Sequence, residues 1–347
     1  LCSVPNVSIG ATDFDDRPDL LNFRNGTVDL RTGRLRPHDQ ADLLTYALDI
    51  DYDPNARCPR WESFLAEIFP GMPEMPAYIQ RLIGYGITGH TTEQSFGVLW
   101  GKGANGKSVL VDTITSTFRA ITRTTPFATF EERKSGGIPN DVAALRGSRL
   151  VMASEGEAGK AMSESILKRV TGKDMISARF LRQEFFEFKP SFLLLLATNH
   201  KPKFRSQDEG LWRRVKLLPF KRWFAPDERD PDLDRKLRAE TGGIAAWAVR
   251  GAVAWYRDGL RDPQVITGAS QEYRETSDPL AGFLPGVLEW ADESVVMSGN
   301  DAFNHYRDWC EAENLPAKEQ WTRRAFYEAM EERGAVRKRT NKGIALG

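Results

Sequence analysis

The stretch Phe96-Gly97-Val98-Leu99-Trp100-Gly101-Lys102-Gly103-Ala104-Asn105-Gly106-Lys107-Ser108-Val109-Leu110 decides the fold. Its middle, Gly101 to Ser108, matches the pattern G-x-x-x-x-G-K-[ST] in full. The apolar run before it, Phe96 to Trp100, suits a strand buried on both faces. After it, Leu110, Ile114 and Phe118 recur every four residues and mark one face of a helix. Strand, glycine loop and helix in this order form a phosphate-binding loop. The glycines let backbone N–H groups converge on an anion, and the helix N-terminus adds its positive end. Lys107 is then placed to reach the β- and γ-phosphates of a nucleotide, and Ser108 to ligate Mg²⁺. Gly101, Lys102, Gly103, Ala104, Asn105, Gly106, Lys107, Ser108 and Val109 are the expected nucleotide-binding residues, with ATP and Mg²⁺ as cofactors. A glycine-rich turn with a surface lysine is the plain alternative, and the flanking strand and helix argue against it.

Two further apolar runs, Leu150 to Ala153 and Phe192 to Ala197, lie between Ser95 and Phe220. Helical and turn segments separate the three strand candidates, as in a parallel sheet covered on both faces. A phosphate loop works with an acid on a neighbouring strand, which holds Mg²⁺ and poises water. The run Arg149-Leu150-Val151-Met152-Ala153-Ser154-Glu155-Gly156-Glu157 offers Glu155. Alternation along a strand places Glu157 on the same side if the strand continues through Gly156. The third run ends in Thr198-Asn199, where an amide can orient the attacking water or serve as an ordinary turn or cap residue. In Leu211-Trp212-Arg213-Arg214-Val215 the paired arginines read either as a finger for a neighbouring subunit's γ-phosphate or as surface salt-bridge partners.

A chain of 347 residues exceeds one ordinary core, and 41% hydrophobic content suffices for well-formed ones. Lys plus Arg equals Asp plus Glu, 48 each, so any nucleic-acid surface must be local. The longest apolar run is far below a membrane span, and no secretory signal opens the chain. Leu1 is not an initiator Met, which leads us to expect a fragment of a longer polypeptide. Cys2, Cys58 and Cys310 lie far apart and form no zinc spacing with His38, His90, His200 or His305. Free thiols in a reducing cytoplasm are expected.

The expected organisation has five parts. Residues 1–60 form an N-terminal β-hairpin extension, with Asn25-Gly26 and Thr32-Gly33 as turns. Residues 61–90 are helical, interrupted at Pro70-Gly71-Met72-Pro73. Residues 91–225 hold the phosphate loop. Residues 226–284 are helical and end in a linker from Thr276 to Pro285. Residues 285–347 form a small domain. In it, helices from Asn300 to Glu313 and from about Glu319 to Arg333 precede a basic hairpin, Val336 to Thr340 and Ile344 to Leu346, joined by Asn341-Lys342-Gly343. Helices followed by a hairpin suggest a winged helix. Its positive face would carry Arg323, Arg324, Arg337, Lys338, Arg339 and Lys342, unless this basic end only solubilises the chain or packs on the core.

The order of pieces resembles the superfamily 3 helicase module of phage and plasmid primase–helicases. The resemblance rests on the phosphate loop, the Leu-Val-x-x-Ser-Glu strand, Lys168-Arg169-Val170-Thr171-Gly172-Lys173-Asp174, Ser177-Ala178-Arg179, Ala197-Thr198-Asn199-His200-Lys201-Pro202, Leu211-Trp212-Arg213-Arg214 and Pro219-Phe220. Leu21 to Asp51 resembles that family's N-terminal extension. The resemblance implies an α/β fold with an AAA+-type core, assembled as a homo-oligomeric ring, usually a hexamer. Such a ring hydrolyses ATP between subunits and moves 3′ to 5′ on single-stranded or forked DNA in a bacterial host. It implies Lys107 and Ser108 as phosphate and Mg²⁺ residues, Glu155 as the acid, Asn199 as sensor and Arg214 (or Arg213) as finger. It also implies a primase domain ahead of Leu1 in some architectures. One departure is Ser154, where the family often has a first acid of a pair. The family's DNA-contacting hairpin falls on Met175 to Leu181 and Phe185 to Phe188, around Arg182-Gln183-Glu184. Lys168, Lys173, Arg179 and Arg182 are its candidate phosphate contacts, or else a solvated charged hairpin. A nucleotide-driven switch or loader that does not unwind processively is the alternative function.

Overall fold

The computed structural model describes residues 10, 13–132, 140–154, 160–180, 182–290, 296–317, 320–340 and 343–346. The chain divides into two compact units, Leu1–Pro202 with Arg213–Ser270, and Lys203–Trp212 with Gln271–Gly347.

The first unit opens with an antiparallel sheet of β1 (Leu20–Phe23), β2 (Gly26–Asp29) and β3 (Arg34–Arg36), in that order. Leu21, Phe23, Val28 and Leu30 are buried, so one face of this sheet packs inward. Helices α1 (Pro59–Ile68) and α2 (Met75–Thr88) follow, each with proline in its first turn, where no N–H is missed. The expected break at residues 70–73 separates them.

The central layer comprises β4 (Phe96–Trp100), α3 (Lys107–Thr117), β5 (Thr122–Pro126), α4 (Asn140–Ala143), β6 (Leu150–Ser154), α5 (Glu164–Val170), the hairpin β7 (Ile176–Ala178) and β8 (Phe186–Phe188), then β9 (Leu193–Thr198). After α6 (Glu209–Trp212), which belongs to the second unit, β10 (Val215–Pro219) returns to the sheet. The five long strands are all parallel, in the order β10-β4-β9-β6-β5. The α/β fold with a parallel sheet is therefore as expected, and the three strands expected from apolar runs are β4, β6 and β9. Two strands were not anticipated. Edge strand β5 reads Thr-Arg-Thr-Thr-Pro and is mostly solvent-facing, so it has no apolar run. In β10 a lysine interrupts the run.

One expectation needs correcting. The strand leading to Glu155 was expected beside the loop strand, but β9 lies between β4 and β6. The chain leaves β4 for the far edge at β5 and returns through β6 and then β9.

The first unit closes with α7 (Leu233–Ala239) and α8 (Thr241–Asp258), and α9 (Gln264–Thr276) begins in it. Helices α2 and α8 meet backbone to backbone. A Cβ on Gly84 would lie 2.1 Å from Ala252 N, and one on Gly251 would lie 2.0 Å from Gln80 O. A single buried cluster runs through Leu21, Trp61, Ile83, Leu110, Leu195 and Trp247, so extension, helices and sheet share one core. Asp19 joins the same parts from outside. It accepts hydrogen bonds from Tyr256, from His90 (2.8 Å) and from Arg31 (2.9 Å). Burial works against its charge, yet these three partners hold its carboxyl below the usual range.

In the second unit, β11 (Met297–Ser298), α10 (Gly299–Ala312), α11 (Arg323–Glu332), β12 (Arg337–Thr340) and β13 (Gly343–Leu346) form two helices and an antiparallel sheet in the order β11-β13-β12. This is the winged-helix-like form expected, with β11 as an added strand. Thr322 caps α11 by accepting from Ala325 N at 3.3 Å, which sets its start after the position read from periodicity. The stretch 276–285, read as a linker, is not loose. It buries Leu280 and Phe283, and Phe283 meets Tyr306 and Phe326 edge-on at 5.8 and 5.9 Å. Trp212 likewise packs on Tyr273 at 5.2 Å within this unit.

Cys58 and Cys310 are buried free thiols, and Cys2 lies outside the described residues. Burial, aided by Glu62, pushes the Cys58 thiol up to about 12, so it is chemically quiet. No described helix is long and apolar enough to cross a membrane.

The close crossing of α2 and α8 makes a direct prediction. Gly84→Ala is expected to cost at least about 2 kcal/mol, because backbone rather than a flexible side chain occupies the space. Urea unfolding would measure it, and an unchanged midpoint would show that the helices do not approach this closely.

Candidate functional site

The phosphate loop leaves the end of β4 and enters α3 at Lys107. Space as well as flexibility dictates two of its glycines. A Cβ on Gly101 would sit 2.3 Å from Phe220 O, and one on Gly106 would sit 2.5 Å from Ile68 Cγ2. Gly106 also has φ +86°, which L side chains rarely adopt. Asn105 is buried and staples the loop. Its Nδ2 donates to Lys102 O (2.8 Å) and Phe220 O (3.3 Å), and its Oδ1 accepts from Lys107 N (3.3 Å). On the outer side, Phe224 N donates to Ala104 O at 2.8 Å. Residues 220–224 thus brace the loop, a role no sequence pattern announced beyond the Pro219-Phe220 pair.

Lys107 is buried. Its Nζ donates to Gly101 O, to Asn105 Oδ1 at 3.2 Å and to Asn199 Oδ1 at 3.1 Å. An ammonium has three N–H donors, and each has an acceptor here. Burial lowers its pKa. Asn199 follows β9, which pairs directly with β4, and so reaches Lys107 across 92 residues of sequence. Lys107 and Asn199, nominated separately from sequence, therefore meet. Ser108 is exposed in the first turn of α3, and Val109 packs partly against the core.

This donor set fits a triphosphate. The opening turn of α3 presents N–H groups without intrahelical acceptors, alongside one ammonium and one hydroxyl. For a metal, no group of three or more His, Cys, Asp or Glu side chains gathers among the described residues. Mg²⁺ needs no such cluster beside phosphate, since one hydroxyl, one carboxylate, phosphate oxygens and water complete its octahedron. Ser108 suits that role. Glu155 and Glu157 lie outside the described residues. Ser154, just before Glu155, ends β6 in register with Ala197 at the same sheet edge as the loop.

The two arginines differ sharply. Arg214 is buried, and its Nη1 donates to Thr171 Oγ1 at 3.0 Å and Lys168 O at 3.5 Å. Arg213 is exposed and donates to Gln94 Oε1 at 2.8 Å. Both precede β10, whose Val215 pairs with Phe96, so they stand at the opposite sheet edge from the loop.

The β7–β8 hairpin presents residues 179, 180 and 182–185 at its tip. Arg179 and Arg182 are exposed there, and Lys173 is exposed just before β7. Lys168 stands apart on α5, half-buried. Aromatic residues at the tip escaped the sequence reading. Phe185 is 63% exposed, and the Arg179 guanidinium lies 4.8 Å from its ring centre. In the second unit, Arg323, Arg324, Arg337 and Lys338 are exposed, and Arg324 and Arg337 pair with Glu328 (2.8 Å) and Glu331 (2.9 Å). The Arg339 side chain and Lys342 lie outside the described residues.

Residues 3–70 match the family described as D5 N terminal like, and residues 99–214 match a family of unknown function, DUF5906. The provisionally named helicase L207/L206 of Acanthamoeba polyphaga mimivirus is 28% identical over 86% of this chain and 33% of its own length. The provisionally named helicase 121R of Invertebrate iridescent virus 3 is 26% identical over 85% of this chain and 35% of its own. The chain thus spans about a third of the length of the curated relatives it matches. Among solved structures, the apo A form of the NrS-1 C-terminal region superposes with a TM-score of 0.52 at 12% identity. It covers 82% of this chain and 64% of that one, a likeness of fold. The chain is thus similar over most of its length to viral proteins that bear helicase names, carries a D5 N terminal like segment, and shares its fold with the NrS-1 C-terminal region.

Proposed function

We propose that this chain is the ATP-driven motor of a replicative DNA helicase. In this reading it assembles as a homo-oligomeric ring, a hexamer as the resemblance implies, and moves 3′ to 5′ along single-stranded DNA. It would serve a phage or plasmid replicon in a bacterial host, with a primase domain as an upstream partner. One observation carries the reading. Lys107, Ser108 and Asn199 gather at one edge of the parallel sheet, and Arg213 and Arg214 stand at the other. Five residues of strand span about 16 Å, beyond the reach of an arginine side chain. Arg213 or Arg214 could therefore act only on the γ-phosphate of a second copy, which supports hydrolysis between subunits.

Exposure favours Arg213 as that finger. Arg214, held by Thr171, positions it, so the order of preference drawn from the resemblance is reversed in this proposal. Lys107 holds the β- and γ-phosphates, Asn199 senses the γ-phosphate beside it, and Ser108 with Glu155 holds Mg²⁺. The hairpin tip contacts one DNA strand, with Arg179 and Arg182 on phosphates and Phe185 offering a ring for bases. The second unit adds duplex or fork contacts through Arg323, Arg324, Arg337, Lys338 and Arg339.

Three outcomes test this. Lys107→Ala is expected to abolish ATP hydrolysis and forked-DNA unwinding together, and retained unwinding would rule out the motor. Hydrolysis without unwinding in the unaltered chain would identify a nucleotide-driven switch or loader instead. Arg213→Ala should reduce kcat by roughly 10³ with nucleotide binding retained, whereas Arg214→Ala should mainly lower the melting temperature. If Arg214→Ala melts normally and loses only kcat, the assignment of the two is reversed. Finally, Arg179→Ala with Arg182→Ala should flatten the salt dependence of single-strand binding by about 0.7 in slope per lost phosphate contact. An unchanged slope would remove the hairpin from the DNA path.

A further inference from the structure

The brace along the phosphate loop carries an aromatic residue that the fold does not use. Phe220 N donates to Trp100 O at 2.7 Å, Asn105 Nδ2 to Phe220 O at 3.3 Å, and Phe224 N to Ala104 O at 2.8 Å. These bonds lock residues 220–224 against residues 100–105. Arg222 and Phe224 are occupied with each other, the guanidinium lying 4.9 Å from the ring centre, and Phe224 packs against the core. Trp223 between them is left out of that packing and is 56% exposed. Among the described residues only it and Trp290, at 52%, are tryptophans more than half in water.

Backbone geometry places Trp223 Cα within about 5 Å of the Ala104 carbonyl oxygen, given its one-peptide distance from Phe224 N. A nucleotide held by its β- and γ-phosphates on residues 103–108 carries its ribose and base beyond that anchor. An indole rooted at the rim of the same loop is within reach of the base. We propose that Trp223 is the base-stacking residue of this nucleotide site. The inference rests on the reading of residues 101–108 as a nucleotide site and adds the part that the loop cannot supply, since loop N–H groups and Lys107 recognise phosphate alone. An indole face reads ring area rather than hydrogen-bond pattern. The site therefore takes purine triphosphates more tightly than pyrimidine ones, with little distinction between adenine and guanine.

The test compares binding of Mg-ATP with binding of Mg-tripolyphosphate, which has the phosphates and no base. Trp223→Ala in the full chain is expected to weaken ATP by roughly 5- to 100-fold and leave tripolyphosphate unchanged. Trp223→Tyr, which keeps an aromatic face, should restore ATP affinity to within about threefold of the original. Unchanged ATP affinity in Trp223→Ala overturns the proposal and leaves the phosphate loop standing. Equal weakening of both ligands also overturns it, because the residue would then merely support the loop. If the unaltered chain binds neither ligand, the phosphate-site reading fails and takes this inference with it.

Discussion

Lys107 Nζ is held between Gly101 O, Asn105 Oδ1 and Asn199 Oδ1, and the arrangement of the central sheet matters because it makes that triangle possible. Two of the three oxygens come from the loop itself. The third comes from the end of β9, which the topology inserts between the loop strand and β6. In open parallel sheets ligands gather where strand order reverses, at the carboxyl ends of the strands. Here the reversal falls between β4 and β9, and Asn199 stands at it. Burial opposes the ammonium charge, so these polar contacts and the approach of an anion bear directly on its charged state.

The loop is also set from below and from the side. Ile68 and Phe64 of α1 come so close to Gly106 that no side chain fits there. Residues 220–224 close the outer side through backbone hydrogen bonds to residues 100 and 104. The N-terminal sheet and helices are thus not an appendage, because they belong to the same buried cluster that supports the loop. Within that cluster α2 and α8 meet backbone to backbone, at Gly84 and Gly251, where no side chain fits between them.

Charge tells a local story in a chain whose total is balanced. Between residues 168 and 189 there are six cationic and three anionic side chains, and the hairpin tip adds exposed aromatic surface to them. Burial then sorts cations that look alike in sequence. Arg213 and Arg214 are adjacent, yet one faces water and the other is enclosed against Thr171. Lys168 and Arg179 are both basic, but only Arg179 stands on the exposed tip.

Local chemistry made the phosphate site legible in sequence. The spacing of Gly101, Gly106, Lys107 and Ser108, the apolar runs of β4, β6 and β9, and the helix–hairpin order of the tail follow from backbone rules that act over a few residues. Strands β5 and β10 were not legible, because an edge strand and an interrupted one carry no continuous apolar run. The supposed linker at 276–285 misled because prolines and turn-formers say nothing of whether Leu280 and Phe283 find a core. Only the tertiary structure decided which strand lies beside β4, that Asn199 touches Lys107, which of two arginines is exposed, and that Trp223 borders the loop. Each depends on contacts between residues dozens of positions apart. Such contacts are set by how the strands are ordered and what the core encloses, and no short window of sequence contains either.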